Sequence, residues 1–83
     1  MDKVIVTVYI PLMDLKYDVK LPLNKKIYNI VKMLVKGVNE FSGGYYKPKK
    51  MPTLYNKETA NSYDINLTIK EANIRNGDEL ILI

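Results

Sequence analysis

Apolar and polar positions alternate through the first part of the chain. Val4, Val6, Val8 and Ile10 interleave with Ile5, Thr7 and Tyr9; Leu15, Tyr17, Val19 and Leu21 interleave with Lys16, Asp18 and Lys20. Side chains two residues apart share a strand face, so each run predicts a strand, the second with one wet face. The β-branched residues of the first run favour the same conformation. Only residues 11–14 separate the runs, which predicts an antiparallel hairpin.

The period then changes. Ile27, Ile30, Val31, Leu34, Val35 and Val38 recur at spacings of three and four, the stripe of an amphipathic helix. Asn24 is placed to cap its start, with Leu23 and Tyr28 as a hydrophobic staple. Its end falls either at Gly37, as C-cap, or near Glu40. Residues 41–52 (FSGGYYKPKKMP) carry two glycines, two prolines and three lysines and read as a loop. A minor strand is expected at residues 53–56, a polar turn at 57–61, and a brief pairing at 62–64. Residues 68–72 predict one helical turn, with Leu67, Ile69 and Ile74 facing inward. Asn76-Gly77 is expected to supply positive φ angles for a tight turn before an apolar strand at 79–83.

This order predicts an α+β fold with one helix packed on a mixed sheet of four to five strands. The hairpin cannot bury its apolar face alone, and the helix stripe is the available cover. If the last strand lies parallel beside the first, the result is a β-grasp; antiparallel arrangements satisfy the same pattern. At 83 residues the chain is read as a single domain, residues 1–83. A domain of this size buries roughly 60–65% of the surface its unfolded chain exposes, so a net stability of about 5 kcal/mol is expected.

Composition narrows the function. Cysteine and histidine are both absent, which removes disulfides, thiolate metal sites and the usual nucleophile–base pairs. The carboxylates are scattered without a calcium-loop spacing, and the glycines form neither a P-loop nor a dinucleotide fingerprint. No enzymatic activity and no cofactor or metal is therefore expected. The apolar run at residues 4–10 precedes Pro11 without a small-residue cleavage site, so it reads as a strand and not as a signal peptide. No run approaches the roughly 18 residues needed to cross a bilayer, and the expected location is the cytoplasm, free or peripheral to a membrane complex. Lysine and arginine number 13 against 9 acidic residues, and Arg75 is the sole arginine. Base readout leans on the arginine fork, so this balance argues against sequence-specific nucleic-acid recognition.

Residues 67–83 (LTIKEANIRNGDELILI) combine a helical turn, Asn76-Gly77-Asp78 and a hydrophobic strand around Leu80. With Leu54-Tyr55-Asn56 in the place of a third strand, the chain resembles the ubiquitin-like (β-grasp) superfamily over nearly its whole length. Within it, the size, the N-terminal strand and the ending are most similar to the bacterial YukD/EsaB family, cytoplasmic accessory components of type VII (ESX-like) secretion in Gram-positive bacteria. The resemblance implies a ubiquitin-like adaptor whose partners are a membrane ATPase or other membrane components of that apparatus. Residues 43–62 carry almost none of it. Ubiquitin and the sulfur carriers of this fold present a C-terminal Gly-Gly tail for adenylation, whereas Gly43-Gly44 is internal and the sequence closes on Ile81-Leu82-Ile83. Covalent conjugation is accordingly not expected.

Two surfaces are candidates for binding. If Val4, Val6, Leu80 and Leu82 face inward, Ile5, Tyr9, Ile81 and Ile83 face outward, joined by Tyr55 and edged by Lys3 and Lys20. An outward apolar cluster of this kind suits a protein partner. The second surface is basic: Lys25, Asn29, Lys32 and Lys36 on the helix face opposite the core, extended by Lys47, Lys49 and Lys50 with Tyr45 and Tyr46 beside them. It defines the alternative reading, a small basic module for nucleic acid or another acidic partner. A solvated helix face and a mobile loop is the simpler explanation of the same lysines.

Overall fold

The computed structural model describes residues 2–83. Strands β1 (Lys3–Ile10) and β2 (Leu15–Pro22) form the expected antiparallel hairpin, joined by a 3-10 turn at Pro11–Met13. Asp14 closes that turn in the left-handed region, φ 48°. Helix α1 (Ile27–Phe41) follows, then the short β3 (Leu54–Asn56) and β4 (Glu79–Leu82). The sheet order is β2-β1-β4-β3, with β4 parallel to β1 and antiparallel to β3. One helix on a mixed four-stranded sheet whose central pair is parallel is the ubiquitin-like β-grasp. The expected pairing at residues 62–64 is reduced to a single bridge between Tyr55 and Ser62.

The core is the one the two periods define. Val4, Val6, Val8 and Ile10 from β1 meet Leu80 and Leu82 from β4, and Ile27, Ile30, Val31, Leu34 and Val38 of α1 cover them. Ile69 and Ile74 are buried as well, while Leu67 is only partly so.

The start of α1 departs from the expectation. Asn24 does not cap it; Lys26 occupies the N-cap position without a side-chain hydrogen bond. The Ile27 and Tyr28 N–H groups donate instead to the carbonyls of Leu67 (2.8 Å) and Ile65 (3.0 Å). Orphan donors that usually need a Ser, Asp or Asn are thus satisfied by backbone from far along the chain. With Lys26 as N-cap, Leu23 and Tyr28 fall out of staple spacing, and Lys25 lies before the helix and not on its face.

Gly37 lies inside the helix, which runs on to Phe41. Its end is a Schellman motif: Gly44 N–H donates to the Asn39 carbonyl (2.8 Å), Gly43 N–H to that of Glu40 (3.2 Å), and Gly43 has φ 68°. The same motif closes the turn at residues 68–72, where Ile74 N–H reaches the Ile69 carbonyl and Asn73 has φ 60°. That turn opens with a capping box, Thr68 and Glu71 exchanging hydrogen bonds of 2.9 and 3.1 Å. In the 75–78 turn only Gly77 has a positive φ, 86°; Asn76 does not, and acts through its side chain.

Candidate functional site: the outer sheet face and the basic groove

β1, β4 and β3 bring three of the five predicted sheet-face residues into one row. Tyr9 pairs with Ile81 and Ile81 with Tyr55, while Lys16 stands opposite Tyr9 on β2. Parity puts all four on the face away from the helix. The row therefore runs Lys16–Tyr9–Ile81–Tyr55 across the whole sheet, with Ile81 at its centre.

Ile5 is on the same face, 48% exposed, but does not join this row. The row between them is polar: Asp18 opposite Thr7, and Thr7 opposite Glu79. Thr7 Oγ1 donates to Asp18 Oδ1 at 2.7 Å, and Lys57 Nζ meets Glu79 Oε2 at 3.0 Å. The Lys57 hydrogen bond, helped by its charge, holds the Glu79 carboxyl below the usual glutamate value. The expected five-residue apolar cluster is thus split by a charged seam, with Ile5 opposite Lys20 beyond it.

Ile83 is 66% exposed and exchanges two backbone hydrogen bonds with Thr53, of 2.8 and 3.0 Å. Its outward parity extends the apolar row toward the hairpin tip. Leu12, 78% exposed in the 3-10 turn, stands at that same end of the sheet and was not among the residues expected there. The signal for it was an apolar residue inside a two-strand connection, where a polar one is usual.

On the opposite side of the domain, α1 and the 46–52 loop border a shallow, open groove of about 550 Å³. Lys32 and Lys36 line it from the helix, and Lys47, Lys49 and Lys50 from the loop. Lys25 lies outside it, as does Tyr45. Tyr28, Val35, Tyr46 and Met51 supply apolar lining. Tyr46 is only 3% exposed and pins the loop: its carbonyl accepts from Asn39 Nδ2 at 2.7 Å and its N–H donates to Ser42 Oγ at 3.0 Å. Buried Pro52 and the Thr53–Ile83 pairing hold the other end. Burial raises the Tyr46 hydroxyl above the ordinary tyrosine value.

Among the described residues no three His, Cys, Asp or Glu side chains are placed together to hold a metal ion. Among them, too, no helix is long and apolar enough to cross a membrane.

No protein-family model and no curated protein sequence matches the chain. Solved structures do. A chain of the MycP5-free ESX-5 inner membrane complex superposes with a TM-score of 0.80 at 19% identity over 100% of this chain and 21% of that one. The EccD5 ubiquitin-like domain from Mycobacterium xenopi gives 0.78 at 21% identity, covering 100% of this chain and 94% of that one. A chain of the toluene 4-monooxygenase HD complex gives 0.77 at 11% identity, covering 96% and 95%. At such identities the likeness establishes the ubiquitin-like fold, which these neighbours use in different settings.

Proposed function

We propose that this chain is a non-enzymatic, non-conjugated ubiquitin-like adaptor of a bacterial type VII (ESX-like) secretion system. It works on the cytoplasmic side, peripheral to the membrane complex, and binds the membrane ATPase or another membrane component through the outer sheet face. The observation that carries this reading is the Tyr9–Ile81–Tyr55 row, three large side chains in register on the face that the helix leaves open. A row of two aromatic residues around a central aliphatic one, bordered by charged residues, has the make-up of a protein-binding hot spot with a polar rim.

The secretion setting is supported by the neighbours from EccD5 and from the ESX-5 inner membrane complex, together with the YukD/EsaB-like ending. Gly43-Gly44 closes α1 in its Schellman motif, so this pair is a structural turn and not a reactive tail. The test is capture of membrane proteins from a detergent extract of the native bacterium by the immobilised chain and by its Ile81→Lys variant. Specific capture of secretion components by the parent, lost in the variant while circular dichroism is unchanged, is expected. Equal capture by both removes the sheet face from the proposal, and an adduct on the native protein in mass spectrometry removes non-conjugation.

A further inference from the structure

The groove between α1 and the 46–52 loop has a feature that a merely solvated lysine face lacks. Five ammonium groups surround it, its lining contains no carboxylate, and among the described residues none of the five is in an ion pair; the one ion pair there is Lys57–Glu79, elsewhere. Like charges gathered around a concavity repel one another and focus a positive potential into it. The loop that carries three of them is held at both ends, by Tyr46 and by Pro52 with Thr53, so the charges are not free to disperse with a floppy segment.

From this we infer that the groove is a second binding site, for an extended acidic segment of a partner protein in which carboxylates flank an apolar side chain. The lining decides between the classes of anionic partner. A single-stranded nucleic acid needs open aromatic faces for its bases. Here Tyr46 is buried, and Lys32 Nζ already lies over the Tyr28 ring, 5.3 Å from its centroid. A bilayer offers a plane of headgroups, whereas this shallow site sets Val35 and Met51 among its lysines, where a single apolar side chain can rest. Lysine ammoniums are rotatable point charges that suit irregularly spaced carboxylates better than the forked geometry phosphates favour. The site lies on the helical side, away from the Tyr9–Ile81–Tyr55 row, and does not rest on the role proposed for that row.

The test is an NMR titration of the 83-residue chain with a short peptide of Asp and Glu interrupted by one central Phe. The same peptide with Gly at the centre, an oligothymidylate of equal charge, and phosphatidylserine vesicles are run beside it. The Phe peptide is expected to move the amide resonances of Tyr28, Lys32, Lys36 and Met51. Its affinity should fall about tenfold with Lys32→Glu/Lys36→Glu, and again with Lys49→Glu/Lys50→Glu, while Lys70→Glu leaves it unchanged. The Gly peptide should bind about tenfold more weakly than the Phe peptide. Absence of binding, shifts spread evenly over Lys3, Lys20 and Lys70, or indifference to the central Phe overturns the inference. Tighter binding of the oligothymidylate or the vesicles through the same residues replaces the acidic peptide with that partner.

Discussion

Asn76 Oδ1 accepts the Ile5 backbone N–H at 2.7 Å, and the neighbouring Gly77 N–H donates to the Ile5 carbonyl at 2.9 Å. A side chain and a glycine amide thus extend the parallel β1–β4 ladder past the point where β4 itself begins. The Asn-Gly pair locks the first strand to the last as well as turning the chain.

Replacing Asn76 with Ala is expected to lower stability by about 1 kcal/mol, the usual value of one hydrogen bond. Urea unfolding checks it. Amide exchange should quicken most at Ile5, which loses its acceptor.

Two glycines should respond in opposite directions to alanine. At Gly77 an added Cβ meets nothing within 4 Å, so the penalty is conformational: φ is 86° and the variant should lose roughly 1–2 kcal/mol. Gly37 is a solvent-facing position inside α1, equally unobstructed, and Gly37→Ala should gain about 0.5–1 kcal/mol. Paired melting curves of the two variants give the contrast.

The Thr68–Glu71 box gives stability a pH-dependent contribution, beside that of the Lys57–Glu79 pair. The hydrogen bond from the Thr68 N–H, then that with the Thr68 hydroxyl, holds the Glu71 carboxyl below the ordinary glutamate value of 4.5. A carboxyl with a depressed native pKa stabilises the fold above the ordinary value, and that contribution disappears as pH falls through the depressed one. Stability should therefore decline from about pH 4.5 downward, and Glu71→Gln should make this limb shallower, leaving the part that Glu79 contributes. Thr68→Ala, by removing the cap, should cost about 1 kcal/mol at neutral pH.

Leu80 is fully buried at the centre of the sheet, between Val8 and Asn56 in register. Leu80→Ala should cost about 2–5 kcal/mol. Against a stability of about 5 kcal/mol, this is expected to leave a large unfolded fraction at 37 °C, visible as collapse of amide dispersion.

The strands and the helix stripe were legible because each follows from a single local period and its need for cover. The parallel pairing of β4 with β1 was not, since antiparallel arrangements satisfy the same periods. The start of α1 was not, since the carbonyls of Ile65 and Leu67 that replace a cap come from a segment with no local signature. Parity alone assigned Ile5 to the same surface as Tyr9. Seeing Asp18, Thr7, Glu79 and Lys57 between them requires the register of four strands, which pairing sets and no one strand encodes. The lysines of α1 and of the 47–50 run were visible separately. Their convergence depends on Tyr46 being drawn under the loop, and a tyrosine in a Gly-, Pro- and Lys-rich stretch reads as exposed until its carbonyl is seen bound to Asn39.

The position of β4 in the middle of the sheet has a consequence for synthesis. The hairpin and α1 leave the ribosome early, yet β1 and β3 have nothing between them until residues 79–82 are out. Thr7 must wait for Glu79, so the ladder that closes the sheet between β1 and β3 forms only once residues 79–82 have been made. A chaperone or an early-bound partner has its longest opportunity during that interval, before the last strand slides into place.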